Sequence, residues 1–429
     1  MTLVGQERRH TFLAFAAVTS LFFAWGFITS NNEPLIVALR TAFHLKYTQA
    51  LLTQIVFFLA YGLLSLPAAW LTSRLGAVDM ILGSLALMAL GCLLVFASTS
   101  AGDFWPILAA LFVLAGGFTA LQVAANPLAA ELGTPQRSHL RLNFAQAFNS
   151  LGVVVGVHFG SLVMLGGRAR SSAVVDLARR GDLLRAVDRA FLIMAALLTG
   201  LLLLFAFLRA FLIRVAPNHR TAAPAGLFEA LRSPWAMFGA AAIGLYVGAE
   251  VSIGSIMINF LNQPKILGVS FGVAGSYLAN FYWGGALCGR LVGTALLTRV
   301  RATRLLAACG VVAALLCLAV LITQGPIAGY AALAIGFFNS IMFPTIFTIT
   351  LERSGVSQSS TSGLLCLAIF GGAMLPIAVG TIADRLGLSA SFVVPLVSYA
   401  FIAFFASAAR AESNRSASQT ATPPPASAS

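Results

Sequence analysis

Apolar runs of about 20 residues recur along nearly the whole chain, separated by short polar breaks. A run of that length, wound as an α-helix, crosses the hydrocarbon core of a bilayer. Backbone groups in lipid must be satisfied within the spanning structure, and the ten-residue alternating strands of a transmembrane barrel do not occur here. The sequence therefore predicts an all-α membrane protein.

Composition agrees with this prediction. Of 429 residues, 59% are hydrophobic and 9% are charged, whereas a soluble domain carries about 25% charged residues. Span 1 is expected to stay in the mature chain, because its apolar stretch is longer than that of a signal peptide and lacks a small-residue cleavage site. We predict twelve transmembrane helices, spans 1 to 12, at residues 11–41, 47–73, 79–98, 104–131, 140–165, 190–213, 236–262, 270–298, 303–322, 328–351, 360–383 and 391–409.

The formal net charge of +13 reflects membrane topology rather than a nucleic-acid partner. With the N-terminus inside, fifteen arginines fall at cytoplasmic ends, and the outer loops, one excepted, hold only Arg40, Lys46, Lys265 and Arg385. This asymmetry predicts that both termini are cytoplasmic. The exception is the arginine-rich loop at 166–190, for which a short amphipathic surface helix at 174–188 is expected, with a lipid or partner contact as the alternative.

The spans divide into two groups of six. A polar segment with three prolines, 214–234, separates them. Span 4 reads GGFTALQVAANP and span 10 reads IGFFNSIMFP, so both halves carry a glycine-phenylalanine start, a polar residue and a proline. Paired interrupted helices in matching positions indicate the binding region of an alternating-access transporter. The predicted divisions are two pseudo-symmetric six-helix bundles at 1–213 and 235–410, a cytoplasmic linker at 214–234 and a disordered tail at 411–429.

Four charged residues lie within predicted spans: Glu33, Glu131, Glu250 and Arg290. A charge at membrane depth costs at least about 2.5 to 3.5 kcal/mol on insertion scales, so each needs a cavity, a partner or a proton. Glu33, in FITSNNEP, is the strongest candidate for proton coupling, with a carboxylate at the water interface as the alternative. Glu250 either lines the site or braces it, Arg290 either forms a gating ion pair or snorkels, and Glu131 is expected to be structural.

Neutral amides accompany these charges. Gln122 and Asn126 are four residues apart on span 4 and share a helix face. Amides carry donors and acceptors without a charge, which suits the hydroxyls of a sugar; packing between helices is the alternative. Asn143, Gln146 and Asn149 on span 5 repeat the theme at steps of three.

Other protein classes fit less well. The sequence contains no HExxH, GxSxG or clustered His, Cys and Asp of the kind that a membrane-embedded enzyme or a metal site requires. A channel would not need paired broken helices with a coupling carboxylate. Efflux of another small molecule stays open, although an aromatic rather than amide-lined cavity would be expected for it. Sodium could also bind one carboxylate with neutral oxygens.

Seven stretches together resemble the sugar permeases of the major facilitator superfamily. They are WGFITSNNEP, LQVAANPLAAELG, RLNFAQAFNSLG, YVGAEVSIGS, GRLVGT, FFNSIMFPTIF and GGAMLPIAVGTIADRLG. From span 4 onward the pattern is most similar to the glucose/galactose branch. The resemblance implies the major facilitator fold, alternating access and a central monosaccharide site.

The resemblance also implies roles for individual residues. Glu33 stands where these permeases have an aspartate implicated in coupling, and Gln122 stands where fucose permeases have a second acid. Asn126, Gln146 and Asn149 match positions that line the cavity. Two departures matter: Glu33 is one methylene longer and precedes Pro34, where the helix is expected to break, and Gln122 does not titrate, so Glu33 would couple alone.

The sequence thus predicts import of a monosaccharide of the glucose, galactose or fucose type by symport, with protons favoured over sodium, and no enzyme activity. No cofactor, metal or nucleic acid is expected, and the partners are the sugar and the lipid bilayer around a monomer in the inner membrane. Proton coupling is assigned to Glu33. Substrate binding is assigned to Asn32, Gln122, Asn126, Asn143, Gln146, Asn149, Glu250 and Asn339. Gating or structural roles are assigned to Arg290, Asp384 and Arg385.

Overall fold

The structure is a computed structural model that describes residues 3–45, 49, 52–100, 102–165, 177–216 and 228–420. Within these residues, eleven helical segments are long and apolar enough to cross a membrane. Span 8 is also helical but is interrupted, and with it the predicted twelve-span, all-α membrane fold is confirmed. Short 3₁₀ turns at Pro135–Arg137, Glu229–Arg232 and Ala390–Phe392 precede spans 5, 7 and 12.

The helices of the twelve spans have the following bounds. In chain order they are Leu3–Thr29 and Asn32–Phe43 (span 1), Leu52–Leu75, Ala77–Thr99, Phe104–Glu131, Ser138–Leu165, Leu177–Val215, Pro234–Asn262, Phe271–Tyr277 to Gly284–Leu296 (span 8), Ala302–Ile322, Gly325–Asn339 and Met342–Arg353 (span 10), Gln358–Ala368 and Gly371–Leu386 (span 11), and Val393–Thr420.

Prolines break spans 1 and 10 at the same spacing. Span 1 is interrupted at residues 30 and 31, directly before Pro34. Proline has no N–H, so Pro34 cannot bond the carbonyl of Ser30 four residues earlier, and the regular helix stops there. Span 10 is interrupted at residues 340 and 341, and Pro344 leaves the carbonyl of Ser340 in the same position. The break predicted at Pro34 is thereby confirmed.

Side chains from neighbouring spans bind two of the carbonyls that the prolines release. The interruption predicted for span 4 is wrong, because Pro127 stays inside the continuous helix Phe104–Glu131. The carbonyl that Pro127 leaves unbonded, that of Val123, accepts a hydrogen bond from the Ser362 hydroxyl at 2.8 Å. On span 10, the carbonyl of Ser340 accepts a hydrogen bond from Nε of Arg290 at 2.9 Å. A buried carbonyl without a donor would be costly, so these bonds stabilise the two helices at their prolines.

Span 8 differs from a regular helix. Between its two α-helical parts, residues Leu278–Trp283 form a π-helical turn. Such a turn inserts one extra residue, changes the direction of the side chains around it and is frequent at functional sites. Tyr282, which lies in this turn, is fully buried.

Spans 4 and 10 are the most enclosed helices. In the most apolar 18-residue stretch of each span, 83% of span 4 and 78% of span 10 is buried inside the protein. For no other candidate span among the described residues does this share exceed 50%. These are the two spans paired by their sequence similarity. Their glycines, amides and prolines therefore lie inside the protein rather than against lipid.

Glycines bring spans 1 and 5 into close contact. A Cβ added at Gly152 would collide with the carbonyl of Phe23, and one at Gly156 would collide with the carbonyl of Phe27 and the hydroxyl of Ser30. The steps of four residues place these glycines on one helix face, which lets the two backbones approach.

By its contacts, the chain forms two compact units. One comprises residues 1–240 with 350–373, and the other comprises 241–349 with 374–429. The division into six and six spans stays a prediction.

Spans 1, 6 and 12 are longer than expected, and span 1 begins at Leu3 rather than at residue 11. Span 6 begins at Leu177 rather than near residue 190, so the predicted surface helix at 174–188 is instead, from Leu177 onward, a continuation of span 6. Its arginines favour water, and Arg185 pairs there with Asp182 at 3.2 Å. Span 12 continues to Thr420, ten residues into the predicted tail. Residues 166–176, 217–227 and 421–429 lie outside the described part.

Candidate functional site

Two groups of buried polar side chains stand out, one in each compact unit. The first lies along span 4, where a narrow crevice is lined by Leu21, Phe22, Trp25, Leu121, Gln122, Ala125 and Asn126. No part of the crevice is wide enough for a water molecule. Its walls combine aromatic rings from span 1 with two amides from span 4.

Asn126 is the most unusual residue of this amide crevice. It is completely buried, and neither its amide nitrogen nor its amide oxygen has a hydrogen-bond partner in the described part of the protein. An unsatisfied buried polar group costs about 1 to 3 kcal/mol. A hydroxyl group, which both donates and accepts, would satisfy both atoms of Asn126.

Gln122 lies one turn away and is oriented by an aromatic side chain. Its Nε2 donates to the hydroxyl of Tyr61 at 2.6 Å, while its buried Oε1 has no partner among the described residues. This oxygen is an acceptor for a second hydroxyl. The two span 4 residues assigned to substrate binding thus lie together.

The amides of span 5 behave differently. Nδ2 of Asn143 donates to the carbonyl of His139 on its own helix at 2.9 Å. Nδ2 of Asn149 donates to the carbonyl of Phe22 on span 1 at 3.1 Å. Gln146 is buried. The structure therefore gives Asn143 and Asn149 backbone-binding contacts rather than amide donors directed into the crevice.

The polar segment of span 1 begins its second helix. Asn32 is partly buried, and its side-chain oxygen has no partner among the described residues. Asn31 donates from Nδ2 to the carbonyl of Phe27 at 2.6 Å. The backbone of Glu33 lies in the helix Asn32–Phe43, but its side chain is outside the described part of the structure.

The second group lies in the other compact unit, around the break of span 10. Asn339 is completely buried, and its Nδ2 donates to the hydroxyls of Tyr282 at 3.1 Å and Tyr399 at 3.4 Å. Its Oδ1 has no partner among the described residues. The position assigned to Asn339 from sequence therefore also presents a free acceptor inside the protein.

Glu250 is connected to the same group. Its Oε1 accepts a hydrogen bond from the hydroxyl of Tyr246 at 2.7 Å, and its backbone carbonyl accepts one from Tyr282 at 3.5 Å. Arg290 acts on Glu250 electrostatically. We call the set Tyr246, Glu250, Tyr282, Asn339 and Tyr399 the tyrosine cluster.

The remaining assigned residues lie apart from both groups. Asp384 and Arg385 are exposed near the end of span 11, and neither has an ion pair within the described residues. Glu131 ends the helix of span 4 and acts electrostatically on Arg141. Arg141 is buried and donates to the carbonyls of Ala130 and Thr134, so it caps that helix end.

Comparison with known proteins identifies the family. The profile of the Major Facilitator Superfamily matches residues 11–365. This chain belongs to the Major Facilitator Superfamily.

Within the superfamily, the chain is similar to sugar transporters along nearly its full length. It is 41% identical over 408 residues to the glucose/galactose transporter of Brucella abortus, covering 94% of this chain and 95% of that protein. It is 31% identical over 438 residues to the L-fucose-proton symporter of Escherichia coli, covering 97% and 96%. A crystal structure of the E. coli fucose:proton symporter superimposes on this chain with a TM-score of 0.82 at 27% sequence identity. The match covers 93% of this chain and 99% of the symporter chain.

Several residues of this Major Facilitator Superfamily member were missed by sequence reasoning. Tyr246 lies four residues before Glu250, and that helical spacing could have revealed it. Tyr61, Tyr282 and Tyr399 belong to other spans than their partners, and no local pattern indicates their contacts.

Proposed function

We propose that this chain imports a hexose of the glucose, galactose or fucose type by symport with a proton, through alternating access of two six-helix bundles. The observation that carries the proposal is the amide crevice, where fully buried Asn126, beside Trp25 and Gln122, has two polar atoms without a partner among the described residues. The glucose/galactose and fucose transporters to which the chain is similar support this substrate class.

Each side chain of the crevice has a distinct task. Asn126 exchanges two hydrogen bonds with one sugar hydroxyl, and Oε1 of Gln122 accepts from another. The ring of Trp25 offers an apolar face to the C–H groups of the sugar. Because the crevice is too narrow for water, its lining side chains must move before a hydroxyl reaches Asn126. Asn32 supplies a further amide contact, and Asn339 is assigned as a sugar-binding amide within its own compact unit.

Glu33 is assigned to coupling. It follows Asn32 at the start of the second helix of span 1, where a carboxylate at membrane depth requires a counter-charge or a proton. A proton moving down 100 mV releases about 2.3 kcal/mol, which sustains about 50-fold accumulation of the sugar. Sodium is the competing ion, and efflux is the competing direction.

The proposal includes topology, location and oligomeric state, and the charge distribution supports its topology. Both termini face the cytoplasm, the protein resides as a monomer in the inner membrane, and it catalyses no covalent chemistry. The linker at 214–234 joins the bundles.

Uptake into proteoliposomes tests the function. Labelled D-glucose, D-galactose and L-fucose are offered separately under an imposed proton gradient, an imposed sodium gradient, or neither. The expected result is accumulation of at least one hexose driven by protons alone. Accumulation driven only by sodium would contradict proton coupling, and no uptake of any hexose would contradict the substrate class. Glu33→Gln is expected to abolish accumulation, and intact accumulation would refute the role of Glu33.

A further inference from the structure

Glu250 lies at membrane depth. It is the seventeenth residue of the 29-residue helix of span 7, about 24 Å along the helix from Pro234 and about 18 Å from Asn262 at a rise of 1.5 Å per residue. An ionised carboxylate there is out of reach of either membrane surface. Such a residue is retained where its charge has a function.

The contacts of Glu250 stabilise an ionised carboxylate only in part. One oxygen accepts from Tyr246, and the other, Oε2, receives no hydrogen bond from the described residues. Glu250 forms no ion pair within the described residues. Arg290, which acts on Glu250 electrostatically, donates its Nε to the carbonyl of Ser340. The titratable and charged groups that surround Glu250 and its tyrosines are Tyr246, Tyr282, Arg290, Cys317 and Tyr399.

This environment suits both states of a carboxylate in turn. The protonated form needs no counter-charge, while the ionised form is held by one phenol and by the field of a guanidinium on another helix. A locked ion pair would resist protonation, and a wholly apolar site would resist ionisation. Glu250 has neither environment.

We propose that Glu250 is a second coupling carboxylate that takes up and releases the transported proton. An O–H bond forms at Oε2 when a proton arrives from the outer solution, and the same bond breaks when the proton leaves to the cytoplasm. No electrons are transferred. The proposal rests on the proposed proton symport and gives this chain a second titrating group, although Gln122 cannot be one.

The cluster also connects this proton to the substrate. Tyr282 donates to the backbone carbonyl of Glu250 and accepts from Asn339, whose Oδ1 is free for a sugar hydroxyl. Arg290 binds the carbonyl of Ser340, the residue after Asn339. When Glu250 loses its proton, its charge attracts Arg290 more strongly and weakens that bond. Proton occupancy thereby alters the position of the sugar-binding amide.

Proteoliposomes that contain the full chain test this role with D-glucose and D-galactose. Counterflow measures sugar exchange without a gradient, and accumulation under a proton gradient measures coupling. Glu250→Gln is expected to reduce accumulation from about 50-fold at 100 mV to about onefold and to abolish the alkalinisation of the medium on sugar addition. Asp182 is an exposed carboxylate that pairs with Arg185 outside the tyrosine cluster. Asp182→Asn is therefore the control and should retain accumulation.

A second variant covers the case in which Glu250→Gln does not fold or shows no counterflow. Tyr246→Phe removes only the phenol that stabilises the ionised form, so the pH of half-maximal counterflow should move upward by about one unit. Unchanged accumulation in Glu250→Gln, or an unchanged pH profile in Tyr246→Phe, would overturn the proposal. If the unmodified protein itself shows no proton-driven accumulation, the proposed function fails instead.

Discussion

Asn126→Leu is expected to make the folded protein more stable and at the same time to remove hexose transport. Asn126 is completely buried, and both polar atoms of its amide are unpartnered within the described residues. Each such atom costs about 1 to 3 kcal/mol, and leucine has a similar size without polar atoms. Allowing for imperfect packing of the leucine, the gain in unfolding free energy is about 2 kcal/mol.

Thermal unfolding in detergent measures this gain. Cys92, Cys317 and Cys366 are buried and Cys288 is exposed, so the rise of thiol-reactive dye labelling above the signal of Cys288 reports unfolding. For a chain of this length, about 2 kcal/mol corresponds to an increase in apparent Tm of about 2 °C. Saturating hexose, at 100 times its Kd, should stabilise the unmodified protein by about 2.7 kcal/mol but should leave Asn126→Leu unchanged.

Asn149→Leu is the matched control. The chemical change is the same, but Asn149 donates to the carbonyl of Phe22. Removing this hydrogen bond should lower the unfolding free energy by about 1 to 3 kcal/mol. A lower Tm for Asn126→Leu, or a hexose-dependent shift in that variant, would refute the assignment of Asn126 as a sugar-binding amide.

Three further predictions concern stability, and each is measured by the same unfolding assay. Gly156→Ala should destabilise the protein by about 1 to 3 kcal/mol because the added Cβ collides with span 1. At Gly200 an added Cβ meets no atom, so Gly200→Ala should be neutral or stabilising. Equal effects of the two changes would contradict the close contact between spans 1 and 5. Ser362→Ala should lower the free energy of unfolding by about 1 to 3 kcal/mol. Adding Pro127→Ala should recover most of this loss, because the N–H of Ala at position 127 can then bond the carbonyl of Val123. No recovery would contradict the hydrogen bond from Ser362 to Val123. Arg141→Met should lower the free energy of unfolding by about 3 kcal/mol, and Arg141→Lys should lower it nearly as much. One ammonium group cannot reproduce the contacts of the guanidinium with the carbonyls of Ala130 and Thr134. If Arg141→Lys were as stable as the unmodified protein, the positive charge alone would be sufficient.

The spans could be predicted from sequence because lipid leaves the backbone few alternatives. Hydropathy located all twelve, and Pro34 and Pro344 indicated the interruptions in spans 1 and 10. The start of span 6 was missed because Leu177 onward is charged, and helices that leave the membrane need no apolar surface. The π-helical turn at Leu278–Trp283 has no sequence signature of its own.

The candidate site was predictable only in part. Residues on one face of one helix, such as Gln122 and Asn126, were grouped correctly by spacing. Spacing does not show what lies opposite a side chain, so it did not reveal that Asn149 donates to the backbone of span 1. Tyr282 and Tyr399 meet Asn339 only through packing of distant segments.

The hydrogen bonds to the proline-released carbonyls have an evolutionary consequence. The bond from Ser362 to the carbonyl of Val123 forms while position 127 is proline, and the bond from Arg290 to the carbonyl of Ser340 depends in the same way on Pro344. Relatives that have lost either proline no longer need the distant donor, so the two positions of each pair should change together. In related transporters, substitutions at positions 127 and 362 should therefore occur together, as should those at positions 344 and 290, although each pair lies on separate membrane helices.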